Sequence, residues 1–375
     1  MNVWFAGGGT GGHLYPGLAI ARALVRERPD VTPFFIGAAR GIERDVLPAT
    51  EFPHVLLDLH PLYRSRPWQN WKTLRGARSA WAHLARLARE QRPALVVGTG
   101  GYASALALAY ATVHRIPIVL QEQNSFPGLT MRLFARRARE VYLGFPEAGG
   151  AMGAHGPATV VDTGNPIEAP PSPRPDRAAV RAEWGFPPGG GRVLLAFGGS
   201  QGAYALNEAL AAWIDGGRLP DDVYVIWATG RGSYDRYRHL ERQHVRVRPY
   251  LAPMTQAYAA ADFALARAGA MGTAELCAWG IPAILVPLPT AAADHQTVNA
   301  DALARAGAAI HLPQRELTPE RLDREVRRLL EDTAVSERLA AGAVARGRPD
   351  AAAVIAARVS ALLDATGAHR QGAGR

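Results

Sequence analysis

A single cysteine, Cys277, stands in 375 residues, which excludes an internal disulfide framework and a cysteine-built metal centre. It falls in an apolar helical pattern, Ala274 to Trp279, and reads as plain packing; a reducing, cytoplasmic setting suits it. Long apolar runs are also missing. The longest, Ala103 to Val113, stops far short of the roughly 20 residues that cross a bilayer. The start, Met1-Asn2-Val3-Trp4, has no basic segment ahead of an apolar one and enters a strand directly, so no signal peptide is expected. Aromatic positions do not interleave with basic ones as an RNA-binding sheet requires, so no nucleic-acid partner is expected. No His/Asp/Glu cluster has clear metal-ligand spacing, and no metal or cofactor is expected.

What is present is a hydrophobic fraction of 48% and a net charge of +9. The length exceeds one ordinary domain and suits two. The basic excess points to phosphorylated substrates or an anionic membrane surface.

The most informative segment is Phe5-Ala6-Gly7-Gly8-Gly9-Thr10-Gly11-Gly12-His13-Leu14-Tyr15-Pro16. A strand-like run enters a glycine turn and leaves into a helix, with Pro16 suited to the first helical turn. Such turns present backbone N–H groups to an anion, and His13 adds a group that exchanges protons near neutral pH. Gly7, Gly9 and Gly12 also satisfy the dinucleotide fingerprint. That fingerprint expects an acid about 20 positions on, at the end of the second strand. Ala38-Ala39-Arg40 stands there instead, and Arg40 keeps an NADP-binding oxidoreductase open as an alternative. A tight turn with no ligand is the third reading.

Strand-like runs at Val3–Ala6, Phe34–Gly37, Val55–Asp58, Leu95–Gly98, Ile118–Gln121 and Val141–Leu143 alternate with helical patterns. The alternation predicts an α/β parallel sheet covered by helices. A Pro- and Gly-rich stretch from Gly144 to Pro175 reads as a linker. The pattern restarts at Val193–Phe197 with a second turn, Gly198-Gly199-Ser200-Gln201-Gly202-Ala203, and continues through strands at Val223–Ala228, Val245–Val247, Phe263–Ala266 and Ala283–Val286. Two Rossmann-like doubly wound domains are expected, with ligands beyond the C-terminal strand ends and the active site in a cleft that the domains share.

Further motifs are Gly98-Thr99-Gly100-Gly101-Tyr102-Ala103-Ser104, Gln121-Glu122-Gln123-Asn124, Ala266-Arg267-Ala268-Gly269-Ala270-Met271-Gly272-Thr273-Ala274-Glu275 and Asp294-His295-Gln296-Thr297-Val298-Asn299. In this order, from Gly7 to about Gly307, they resemble the MurG family of N-acetylglucosaminyltransferases of peptidoglycan synthesis.

The resemblance implies a GT-B fold of two Rossmann-like domains: residues 1–164 on the acceptor and membrane side, and 165–347 for the UDP-sugar. A C-terminal helix within 348–375 would pack back on the first domain. It implies transfer from UDP-N-acetylglucosamine, a substrate and not a cofactor, to lipid I, giving lipid II. A UDP-sugar-binding subunit of a related transferase is a further alternative. His13 would be the general base. Thr10, Gly11, Gly12 and Asn124 would face donor sugar and acceptor, with Gly101, Tyr102 and Glu122 on the acceptor side. Ser200 and its turn would hold the diphosphate, and Leu251 would read uracil through its backbone. Ala270, Met271, Gly272, Thr273, Ala274 and Glu275 would wrap the nucleotide, with Glu275 on the ribose diol. Gln296, with His295 as a second candidate, would hold sugar hydroxyls. A carboxylate suits a diol because it accepts two hydrogen bonds. Glu168 stands where the family pattern has an arginine, and Arg267 is a candidate replacement. The Gly272 position often carries a hydroxyl residue in the family, so a side-chain contact is missing there.

From Leu62 to Leu87, Trp68, Trp71, Leu74, Trp81 and Leu84 mix with Arg64, Arg66, Lys72, Arg75 and Arg78. Aromatic and basic residues on one helix suit an interfacial segment. Trp68, Trp71, Lys72, Arg75 and Arg78 are the candidate membrane contacts; the competing reading is a crossover helix packed on the sheet. The expected location is the cytoplasmic face of the inner membrane, held peripherally, with other cell-wall synthesis proteins as candidate partners.

Overall fold

The computed structural model describes all residues except 61–67, 69, 154–157, 200 and 373–375, and side chains other than those of 70, 72, 74, 153 and 366–372. The chain divides into two compact units, one of residues 1–168 and 350–375, the other of 169–349.

The first unit holds a seven-stranded sheet: β1 (Asn2–Gly7), β2 (Thr32–Ala38), β3 (His54–Leu57), β4 (Leu95–Gly100), β5 (Ile118–Glu122), β6 (Glu140–Leu143) and β7 (Thr159–Asp162). Its order is β3-β2-β1-β4-β5-β6-β7, and every pairing is parallel. The chain winds outward from β1 in one direction and from β4 in the other. The two diverging crossovers leave a crevice at the β1/β4 strand ends. Val3, Trp4, Phe5, Leu95, Val96 and Val97 are buried, as continuous apolar runs covered on both faces should be.

The helix Ala351–Gly372 belongs to this first unit. Ala352, Ile355, Ala356, Val359 and Leu363 recur at helical spacing and join a core cluster with Leu14, Leu18, Ala21 and Leu24 of the helix Gly11–Glu27. Arg358 grips Glu140 with two bonds, at 2.6 and 2.9 Å, and Arg28 reaches Asp364 at 2.8 Å.

The second unit holds β8 (Arg192–Phe197), β9 (Val223–Ala228), β10 (Val245–Arg248), β11 (Phe263–Ala266), β12 (Ala283–Leu285) and β13 (Ala309–His311). Their order, β10-β9-β8-β11-β12-β13, again reverses direction, here between β8 and β11.

Several expectations change. The stretch from Gly144 to Pro175 is no simple linker, because it contains a helix at Gly149–Gly153 and the edge strand β7. Four residues between glycines and prolines carry too little periodicity to announce a strand. Strand β13 went unseen for the same reason. Pro16 does not open its helix, which begins at Gly11. It stands in the second turn, where it cannot donate to the Gly12 carbonyl. The helix Asn70–Glu90 divides by position. Ala80, Leu84 and Leu87 are buried, and Trp81 meets Tyr110 edge-on, so this part is the crossover helix packed on the sheet.

Cys277 is buried, and burial pushes its thiol up to about 12. Only the thiolate attacks disulfide reagents. Native protein at mildly alkaline pH should therefore resist a disulfide-exchange dye over a period in which urea-unfolded chain labels fully. Rapid labelling of native protein would contradict this packing.

Candidate functional site

In the first unit the turns after β1 and β4 meet at the crevice. Gly8 N–H donates to the Gly100 carbonyl at 3.4 Å. A Cβ on Gly101 would stand 2.1 Å from the Gly8 carbonyl oxygen. Gly100 and Gly101 both have left-handed backbone, φ +95 and +75, which strains any side-chain-bearing residue.

His13 lies in the first turn of the helix Gly11–Glu27, flat against this backbone. A Cβ on Gly100 would come within 2.9 Å of its Cδ2, and one on Gly101 within 3.2 Å of its Nδ1. Its Nδ1 is 3.0 Å from the Thr10 Oγ1, and its carbonyl accepts the Thr99 hydroxyl at 2.6 Å. Tyr102 packs on Gly9, where a Cβ would meet its ring at 2.8 Å. The structure thus brings Thr10, Gly11, Gly12, His13, Gly101 and Tyr102 together.

The β5 end is tied in by a residue that the sequence reading did not single out. Gln123 Nε2 donates to the Thr99 carbonyl at 2.8 Å, and its own carbonyl accepts from Asn165 at 3.0 Å. Glu122 serves the turn that follows it. Its oxygens accept from the Asn124 N–H at 2.9 Å, the Asn124 amide at 3.3 Å and the Gly128 N–H at 2.9 Å. Burial raises its pKa against those hydrogen bonds. These bonds shape the loop that carries Asn124.

The absence of an acid after the second strand also needs correction. Glu43, five residues past β2, is fully buried and accepts the Gly9 N–H at 2.9 Å. Arg40 faces Asp58 at 3.4 Å. Both observations weigh against the dinucleotide reading.

In the second unit the loops after β8, β9, β10 and β11 gather at the strand ends. Gly202, at φ +76, lies so close to the Thr229 carbonyl that a Cβ would stand 2.1 Å from it. Thr229 N–H in turn donates to the Arg248 carbonyl at 3.0 Å. The helices Tyr204–Asp215 and Ala270–Trp279 begin without a capping side chain or a first-turn acid, so their N-terminal N–H groups suit an anion. Ser200 lies outside the described residues.

Glu275 stands in the second turn of its helix. Its Oε2 accepts the Tyr258 hydroxyl at 2.6 Å, and burial with this carboxylate beside it raises the Tyr258 pKa well above its usual value. Leu251 is buried. Thr273 turns its hydroxyl back to the Gly269 and Ala270 carbonyls, each at 3.0 Å, so that side chain braces its helix. Gly272 faces the Phe197 ring, 3.2 Å from a would-be Cβ, which explains the small residue. Ala270 opens the helix, and Met271 and Ala274 are half-buried on it.

Gln296 Oε1 accepts the Leu288 N–H at 3.0 Å. Just before it, Ala293 and Asp294 both adopt left-handed backbone, φ +53 and +54, a strain that clusters at functional turns. His295 bonds the Ala292 carbonyl. Asn299 is fully buried on the Ala268 carbonyl and is structural. Arg267 is no replacement for the missing arginine. Its guanidinium holds the Val286 and Pro287 carbonyls and Gln314, and burial lowers its pKa to about 10. Glu168 is exposed, and its charge is felt by Arg22.

The glycosyltransferase family 28 N-terminal domain model matches residues 3–143, and the C-terminal domain model matches 193–355. The chain belongs to glycosyltransferase family 28. It is 41% identical to a protein of Moorella thermoacetica over 94% of this chain and 96% of that one. It is 40% identical to one of Chlorobaculum parvum over 96% and 99%. Both are named UDP-N-acetylglucosamine–N-acetylmuramyl-(pentapeptide) pyrophosphoryl-undecaprenol N-acetylglucosamine transferase. The Acinetobacter baumannii MurG crystal structure superposes with a TM-score of 0.73 at 26% identity, over 96% of this chain and 99% of that one. The fold is GT-B and the chain is a glycosyltransferase of the MurG kind. Among the described residues no group of His, Cys, Asp and Glu could hold a metal ion.

The second-unit glycines form a graded test. Gly269 has room for a Cβ and ordinary φ, Gly199 has room but φ +86, and Gly202 has neither. Alanine should cost less than about 1 kcal/mol at Gly269, about 1–2 at Gly199 and about 3 or more at Gly202. Urea-unfolding midpoints read the order, and equal midpoints for the last two would refute it.

Proposed function

We propose that this chain is the inverting transferase that moves N-acetylglucosamine from UDP-N-acetylglucosamine to the muramoyl C4 hydroxyl of lipid I, giving lipid II. The reading rests on near-full-length similarity to relatives of that name, combined with a histidine fixed at the first glycine turn. With Nδ1–H donating to the Thr10 hydroxyl, Nε2 of His13 holds the lone pair that takes the proton from the attacking hydroxyl. The anomeric carbon passes through an oxocarbenium-like state as UDP departs. Thr10, Gly11, Gly12 and Asn124 would face the sugar and the acceptor.

Charge growing on the leaving diphosphate would be met by backbone N–H groups around Gly199–Gly202 and the helix that follows, the kind of fixed dipole that stabilises developing charge. Ser200 belongs to the same turn. Glu275, oriented by Tyr258, would accept the ribose hydroxyls, and Leu251 would meet uracil with its backbone. Gln296, whose oxygen is held by Leu288, would turn its amide donors to the sugar.

Radiolabelled transfer with the isolated chain and a lipid I analogue tests the reading; no product would leave a binding subunit. His13→Ala should lower kcat by about 10²–10⁴-fold and leave the KM for UDP-N-acetylglucosamine within about threefold. Unchanged turnover would remove His13 from the base role.

The acceptor is held in a membrane, and peripheral docking on the cytoplasmic face suits it. No helix among the described residues is long and apolar enough to cross a membrane. Trp68 is 71% exposed and Trp71 56%, and Arg75 and Arg78 are exposed on the helix Asn70–Glu90 that carries Trp71. The side chain of Lys72 lies outside the described set, as do Arg64 and Arg66. Each basic residue near an anionic surface contributes about 1 kcal/mol. Co-sedimentation with anionic vesicles should fall with salt and with the Trp68→Ala/Trp71→Ala pair. Binding indifferent to both would contradict docking through this helix.

A further inference from the structure

The first glycine turn carries one buried group that the transfer mechanism does not use. Glu43 opens the short helix Glu43–Val46 and is fully buried. Its Oε1 accepts two backbone N–H groups, Gly9 at 2.9 Å and Ala38 at 3.1 Å, while Oε2 has no hydrogen-bond partner. Three glycines make room for it. A Cβ on Gly8 would stand 1.8 Å from Oε1, one on Gly41 2.0 Å from Oε2, and one on Gly37 2.9 Å from the Glu43 Cβ.

In a dinucleotide-binding unit this turn offers its N–H groups to a pyrophosphate, and the acid after the second strand takes the ribose. Here the acid after the second strand turns inward and occupies the anion position of the turn. The carboxylate thus holds the N–H of Gly9 at 2.9 Å, and the next residue in the chain, Thr10, has its hydroxyl 3.0 Å from the His13 Nδ1. We propose that Glu43 is the internal anion of the first glycine turn, a positioning residue that fixes the loop presenting His13 and denies that loop to phosphate groups. Its effect on turnover rests on the proposed role of His13; its effect on anion binding does not.

Full-length Glu43→Ala and Glu43→Gln proteins test this. Loss of a hydrogen-bonded charged acceptor should lower kcat of Glu43→Ala by about tenfold or more, with the KM for UDP-N-acetylglucosamine within about twofold. Sodium formate, compared with sodium chloride at equal ionic strength, should restore part of that kcat and leave the parent enzyme unchanged. Inorganic pyrophosphate should bind Glu43→Ala about tenfold tighter than the parent. Glu43→Gln keeps an acceptor oxygen in place and should retain kcat within about threefold.

A folded Glu43→Ala with parental kcat and parental pyrophosphate affinity would overturn the proposal. So would one that is slow yet gains neither formate rescue nor pyrophosphate affinity, because packing alone explains it. If Glu43→Ala does not fold, Glu43→Gln decides: a parental melting temperature with kcat lost by more than about tenfold overturns the positioning role. Should His13→Ala prove fully active, tighter pyrophosphate binding by Glu43→Ala still supports the anion role, and parental binding refutes it.

Discussion

The first unit depends on two stretches of backbone approaching closer than any side chain allows. The Gly8 carbonyl lies where a Gly101 Cβ would be, and Gly8 donates to Gly100. Parallel pairing with a reversal between β1 and β4 opens a crevice, and both turns drop into it. His13 then rests on the backbone of Gly100 and Gly101. Its orientation is held by Thr10 and its helix is pinned through Thr99. In the proposed base role such restraint would matter, since small misplacements of reacting groups are costly.

The second unit uses the same topology for a different purpose. Its turn after β8 is also closed on neighbouring backbone, through Gly202 on Thr229, but no described carboxylate bonds to it. The helices beginning at Tyr204 and Ala270 carry no first-turn acid either. One glycine turn has the buried Glu43 carboxylate on its Gly9 N–H, and the other closes on itself, with the Gly202 N–H donating to the Gly199 carbonyl at 3.0 Å.

Much of this was legible in the sequence, because β-rich runs, glycine turns and their order encode a doubly wound fold. The strands at Val223–Ala228 and Phe263–Ala266 match the expected ranges. What stayed hidden was direction. Thr273, Asn299 and Arg267 are the polar residue types that a nucleotide site needs, yet each donates to a main-chain carbonyl, Thr273 within its own helix and the other two on distant segments. Sequence shows that a donor exists but not which carbonyl captures it. Glu43 was missed because its partner Gly9 is 34 positions away. The available signal was the glycines at 37 and 41, an unusual flanking for an acid just past a strand.

The charge distribution follows from the same division. A net charge of +9 would suggest cations gathered around the phosphates, but the buried cation at the β11 end, Arg267, braces carbonyls instead. Exposed arginines lie elsewhere: Arg75 and Arg78 on the helix after Trp71, and Arg115, Arg136, Arg137 and Arg139 around a cavity beside the starts of β5 and β6, at the opposite end of the strands from the glycine turns. Mobile cations act at long range and are screened by salt, which suits attraction to an extended anionic surface. Fixed N–H dipoles act at contact and need no rearrangement as charge develops, which suits a leaving diphosphate. On this reasoning the proposed membrane docking and the proposed grip on the diphosphate would draw on different charges, exposed side chains for the first and backbone dipoles for the second.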